Sequence, residues 1–107
     1  MNIVWLDPWH PITNPDLAYA LLEELTRELA AEHPLAGVPV VLLGQNSRND
    51  DILLELKDGS RRYAEVHLTW AGKKELPPWP FAALFDSVAD WVELGMKVDS
   101  EEQSSGG

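Results

Sequence analysis

No cysteine occurs in the 107 residues, which excludes a disulfide framework, a thiolate metal site and a cysteine nucleophile and suits a reducing compartment. Cations are scarce. Eight Lys and Arg stand against 18 Asp and Glu, a formal net charge of −10. That balance repels a phosphate backbone, so no nucleic-acid partner is expected, and it favours encounter with a basic protein. No apolar run approaches membrane-spanning length, and Met1-Asn2-Ile3-Val4-Trp5-Leu6-Asp7-Pro8 has neither the basic nor the apolar part of a secretion signal. A glycine-rich phosphate loop and a serine nucleophile elbow are absent as well, so no cofactor and no catalytic residue is assigned. The expected location is cytoplasmic, without a membrane partner.

What is present is ordinary globular material, 45% hydrophobic and 24% charged, enough for one core. Residues 1–98 are expected to form a single α+β domain. From Asp99 onward Ser, Glu, Gln and Gly dominate, and residues 99–107 are expected to be a disordered tail. Five Trp is high for this length; each buried indole removes much apolar area from water and needs a partner for its N–H.

Trp5 and Trp9 stand among Pro8 and Pro11, which predicts an extended or turn-rich N-terminal segment tethered by its indoles rather than a regular element. Asp7 and His10 are too few to hold a metal. Asn14-Pro15-Asp16 opens a helix: Asn caps, Pro suits the first helical position, and Asp complements the positive end of the dipole. Leu17, Leu21, Leu25 and Leu29, with Ala18, Tyr19 and Leu22, predict an apolar stripe, and the helix runs to about Glu32. His33 before Pro34 reads as a helix-terminating residue.

Val38–Leu43 and Ile52–Leu56 are predicted strands, separated by the polar turn Gly44–Asp51. Asp50 and Asp51 with Asn46 and Asn49 offer oxygen ligands but lack the spacing of a calcium loop, so they read as an Asx turn. The third strand, Arg62–Trp70, alternates at period two and is predicted to be central. Ala64, Val66, Leu68 and Trp70 fall on its core face; Tyr63, Glu65, His67 and Thr69 fall on the other. A two-residue hairpin at Asp58-Gly59 would pair Leu54 with Tyr63. A longer loop puts Leu54 opposite Ala64 or Val66 and keeps apolar faces together, which predicts a bulged or longer loop.

Leu76-Pro77-Pro78-Trp79-Pro80-Phe81 cannot be helical and is predicted to lie extended, with Trp79 and Phe81 as anchors. Ser87 with Asp90 three residues on predicts a capped short helix that buries Val88, Trp91, Val92 and Met96, weakened by Gly95. The predicted fold is α+β: an N-terminal helix, a three-stranded antiparallel β-meander with the helices on one sheet face, a Pro-rich segment, a short C-terminal helix and a disordered tail.

Glu65, His67 and Thr69, with Tyr63, share the outer face of the central strand, and a His beside a carboxylate is material for acid–base chemistry. The same alternation arises on any half-exposed strand. The candidate binding residues are therefore Tyr63, Glu65, His67, Thr69 and Trp79, with no metal ligands assigned. Glu23, Glu24, Glu28, Glu32, Asp99, Glu101 and Glu102 read as solvated surface open to a basic partner.

Asp50-Asp51-Ile52-Leu53, Tyr63-Ala64, Val66-His67-Leu68-Thr69-Trp70, Phe85, Ser87 and Trp91 resemble a family of small uncharacterised bacterial proteins over residues 35–100. Glu65 stands where that family would carry an apolar residue. The resemblance implies a compact fold and a bacterial cytosolic origin, and it brings no activity or site residue with it. The expected function is a non-catalytic protein-binding domain, immunity-like or antitoxin-like. The alternatives are a small enzyme or ligand-binding domain with a pocket around His67 and Glu65, and a structural subunit that self-associates through a sheet edge or the Trp79 loop.

Overall fold

A computed structural model of the chain describes residues 3–105, with side chains described as far as Glu101. Five strands, β1 (Trp9–Pro11), β2 (Val40–Asn46), β3 (Ile52–Leu56), β4 (Tyr63–His67) and β5 (Phe81–Phe85), form one antiparallel sheet in the order β1-β2-β3-β4-β5. Helix α1 (Pro15–Glu28) lies between β1 and β2 in the chain. The C-terminal segment is α2 (Val88–Trp91), a π-helical turn (Val92–Met96) and α3 (Lys97–Ser105).

The sheet has five strands rather than the expected three. Both additions are edge strands, where a short or proline-bearing segment can pair on one side only. Trp9, His10 and Pro11 pair with Asn46, Gln45 and Gly44, so the N-terminal segment is regular where irregular chain was expected. Phe81–Phe85 pairs along the whole of β4, from His67↔Phe81 to Tyr63↔Phe85. Its propensity is modest at the two Ala residues, and pairing with a central strand supplies what propensity does not.

The β3–β4 register is one of the two that apolar matching allows: Leu54 faces Ala64 rather than Val66, and Leu56 N–H donates to the Arg62 carbonyl across a five-residue loop, Lys57–Arg61. Beyond His67 the chain leaves the sheet. Trp70 adopts φ 59° and turns outward, 51% exposed, instead of completing the core face.

The helices flank opposite sheet faces, not one. Leu21 and Leu25 of α1 pack with Leu35, Ile52, Leu54, Leu56, Ala64, Val66 and Leu68 on the first face. Trp9, Leu53 and Tyr63 pack with Trp91 and Met96 of the C-terminal segment on the second. Ile52, Leu53 and Leu54 are each fully buried, the pattern of a strand covered on both sides.

Asn14 caps α1 as expected, its Oδ1 accepting from Asp16 N–H at 2.9 Å and Leu17 N–H at 3.3 Å. The helix stops at Glu28, a turn short of the predicted end, because Leu29 is already extended. Leu17 and Tyr19 face solvent. Ser87 caps α2, accepting from Asp90 N–H at 3.1 Å. The helix then continues through Gly95 into α3, so Asp99–Ser105 is helical rather than a disordered tail. Gly106 and Gly107 of that expected tail lie outside the described residues.

Candidate functional site

Counting the register across the sheet brings distant residues into one row on the second face. Trp9 lies opposite Asn46, and Asn46 N–H donates to the Asp51 carbonyl at 2.8 Å. One step beyond the Ile52↔Val66 pair, Asp51 comes opposite His67, and His67 lies opposite Phe81. Trp9, Asn46, Asp51, His67 and Phe81 thus cross all five strands side by side, the spacing at which neighbouring side chains interact. Phe81 is in turn 6.1 Å, centroid to centroid, from Trp79, which lies just outside the sheet.

His67 Nδ1 donates to Asp51 Oδ1 at 2.5 Å. The imidazole is half exposed, while the Asp51 side chain is largely covered. Burial raises the Asp51 carboxyl above its usual range, the His67 hydrogen bond opposes that, and the charges of Asp99 and Asp50 add to it.

Asp99 reaches this row from α3. Its Oδ2 accepts from Trp9 Nε1 at 2.8 Å and from Asn46 Nδ2 at 3.4 Å. Asn46 is almost fully buried, and its own Oδ1 accepts from Arg48 N–H at 2.8 Å. Pro8, Asn46, Arg48, Asn49 and Asp99 line a small polar depression of about 200 Å³.

Glu65 occupies the next row, between Leu53 and Ala83. Trp91 Nε1 donates to Glu65 Oε1 at 2.9 Å, and a Cβ on Gly95 would come within 3.0 Å of that oxygen and 2.8 Å of Trp91 Nε1. Gly95 is therefore what lets the π-helical turn settle onto the indole and carboxyl. Burial, foremost, pushes the Glu65 carboxyl up to about 7; the Trp91 hydrogen bond lowers it, and the charges of Asp99 and Asp51 raise it.

The remaining candidates separate from this group. Tyr63 is buried beneath the C-terminal segment, its hydroxyl pushed up by burial and then by the charge of Glu55. Thr69 has left the strand: its N–H donates to Glu28 Oε1 at 2.9 Å and its hydroxyl to Glu75 Oε1 at 3.3 Å. Trp79 and Phe81 are exposed by 45% and 52%, not anchors. The structure thus joins His67 with Trp79 through Phe81, roofs Glu65, buries Tyr63 and gives Thr69 to a loop.

Two acidic residues expected on the solvated surface are interior. Glu28 is fully buried and accepts from Thr69 and Trp70 N–H at 2.9 and 2.8 Å; Glu24 accepts from Gly72 N–H at 3.0 Å. Burial and the neighbouring Glu24 raise the Glu28 carboxyl, while the Glu28 hydrogen bond holds Glu24 low. This pair holds the loop after β4 and is remote from the acidic row. His33 also serves structure: its Nδ1 accepts from Leu35 N–H at 3.0 Å, so Nε2 carries the proton donated to the Pro80 carbonyl at 2.7 Å.

A groove of about 890 Å³ lies between the end of α1 and residues 30–40 and is mainly apolar, with Lys74 at its rim. It contains none of the candidate residues. Among the described residues no three His, Asp or Glu side chains are grouped so as to hold a metal ion, and no helix is long and apolar enough to cross a membrane.

Asp51 was reachable from sequence, because the register that pairs Leu54 with Ala64 also pairs Asp51 with His67. In sequence Asn46 reads only as a turn residue and Trp9 only as a tether, because the β1–β2 pairing that sets them in the row is not expected. Asp99 carries no local signal, since it reaches the row from α3. Comparison of the chain with family models, curated proteins and solved structures gives no match, so the likeness around Tyr63–Trp70 assigns no family.

Proposed function

We propose that this is a non-catalytic, cytoplasmic binding domain whose acidic and aromatic row receives a cationic segment of a partner protein. The observation that carries the reading is the continuous strip Asp51, His67, Phe81 and Trp79, open to solvent at His67, Phe81 and Trp79, with the largely covered Asp51 and the neighbouring Asp99 contributing negative charge behind it. Carboxylates attract a Lys or Arg, and exposed aromatic faces add cation–π contact worth about 0.5–1 kcal/mol at such sites. The net charge of −10 accelerates encounter with a basic surface. Geometry favours this over acid–base catalysis, because Glu65 is covered by Trp91 and Gly95 while His67 stands at an open surface.

The test is affinity capture from the source cells at low and moderate salt. Recovery of a basic protein by the native chain, weakened by salt and lost with Asp51→Asn combined with Trp79→Ala, supports the reading. Equal recovery by the double variant, or no protein recovered at either salt concentration, contradicts it.

A further inference from the structure

The two edges of the sheet are built differently. β1 is three residues long and ends in Pro11, a usual protection against further pairing. β5 is five residues long, Phe81-Ala82-Ala83-Leu84-Phe85, with no proline or charge inside it. It lies in the uncharged run Leu76–Phe85, unusual in a chain of which 24% is charged.

The hydrogen-bond alternation shows which backbone groups this edge offers. Leu56 bonds to Arg62, so Arg62, Ala64 and Val66 direct their backbone groups toward β3, and Tyr63, Glu65 and His67 toward β5. Their partners Phe85, Ala83 and Phe81 face inward. Ala82 and Leu84 therefore turn their N–H and C=O groups outward, and among the described residues no other group bonds to them. The Pro80 carbonyl just before them is occupied by His33. Phe81 and Leu84 are 52% and 42% exposed along the same edge.

The strand is also nearly self-complementary. A two-fold axis at Ala83 sets Ala82 against Leu84 of the second copy and Leu84 against its Ala82, closing four main-chain hydrogen bonds. Ala83 meets Ala83 on the axis, where small side chains permit close approach. Phe81 faces Phe85 of the second copy twice, at non-hydrogen-bonded positions where side chains come closest.

We propose that β5 pairs antiparallel with β5 of a second copy, giving a closed two-fold dimer with a continuous ten-stranded sheet. A second copy fits this edge because the contacting run is uncharged, so two chains of net charge −10 meet where neither presents charge. This inference rests on the edge alone and does not depend on the reading of the acidic row, with which it shares Phe81. The two also respond oppositely to salt: screening strengthens pairing between like-charged copies and weakens binding of a basic partner.

The test is sedimentation equilibrium of the full chain from micromolar to hundreds of micromolar, at low and moderate salt. The expected result is a mass rising from 12.0 kDa toward twice that value and no further, sooner at moderate salt. Leu84→Lys and, separately, Ala82→Pro are expected to remain at 12.0 kDa throughout with unchanged circular dichroism. The Ala82 N–H points out of the sheet, so proline there removes a dimer donor and no internal bond. A native chain that stays monomeric, one that grows beyond a dimer, or folded variants that dimerise as the native chain does would each overturn the proposal.

Discussion

Trp91 donates its indole N–H to Glu65 at 2.9 Å, joining the C-terminal helical segment to β4 across 26 residues of sequence. Trp91 also packs edge-on against Trp9, with ring centroids 5.1 Å apart, and Trp9 donates to Asp99. One strand carboxyl, two indoles and one helix carboxyl thus fasten α2 and α3 to the second sheet face. The requirement that a buried indole N–H find a partner is met in both cases by an acid.

Burial of Glu65 gives stability a definite pH dependence. Its carboxyl keeps its proton up to about 7 in the folded chain, against 4.5 for a free glutamate. Between those values the native state binds more protons, so this contribution is complete below the unfolded value and is lost as pH rises through the folded one. The loss amounts to at most about 3 kcal/mol. Glu65→Gln, which cannot ionise, is expected to gain stability relative to the native chain between about pH 5 and about pH 8. Urea unfolding of both at each pH measures the gain. A constant difference would show that Glu65 ionises freely in the folded chain.

Gly95 is expected to resist substitution for a packing reason. Its backbone is not left-handed, yet an added Cβ would lie 2.8 Å from Trp91 Nε1 and 3.0 Å from Glu65 Oε1. Gly95→Ala should cost about 1–3 kcal/mol of unfolding free energy, against a slight gain expected from helix propensity alone. Trp fluorescence during urea titration reads this directly. An unchanged or raised midpoint would mean that the segment is not seated on Glu65.

The loop after β4 depends on α1. Glu28→Ala would leave the part-buried Thr69 and Trp70 N–H groups without their acceptor, at up to about 1–3 kcal/mol for each one not rescued by water. Hydrogen exchange at these two amides should accelerate well before global unfolding, whereas Glu28→Gln retains one acceptor oxygen and should be intermediate. Amide protection equal to the native chain's in Glu28→Ala would exclude the carboxyl as the loop's anchor.

Much of this was legible from sequence where a local rule had no competitor. Asn14-Pro15-Asp16 and Ser87 opened helices as their capping chemistry requires, and apolar matching narrowed the partner of Leu54 to Ala64 or Val66, of which Ala64 is the one observed. The two edge strands were missed because Pro8, Pro11 and Pro80 suggest irregular chain, while edge pairing tolerates them. The second helical layer was signalled by the unbroken run Ile52-Leu53-Leu54, which needs cover on both sides. Glu24 and Glu28 looked like wet-face residues of an amphipathic helix, because nothing in α1 shows that a loop some forty residues later presents its amides to them. Of the candidate site residues, His67 kept an open position, and its neighbours Asp51 and Phe81 follow from strand register rather than from any motif.

The acidic and aromatic row is tested most directly by amide and indole NMR of the ¹⁵N-labelled chain titrated with an Arg- and Lys-rich peptide. The expected perturbations concentrate at Asp51, His67, Phe81 and the Trp79 indole, shrink with added salt, and are lost in Asp51→Asn combined with Trp79→Ala. Perturbations centred instead on Glu23 and Glu32 of the acidic surface around α1, or surviving unchanged in the double variant, would contradict the assignment of this row as the binding surface.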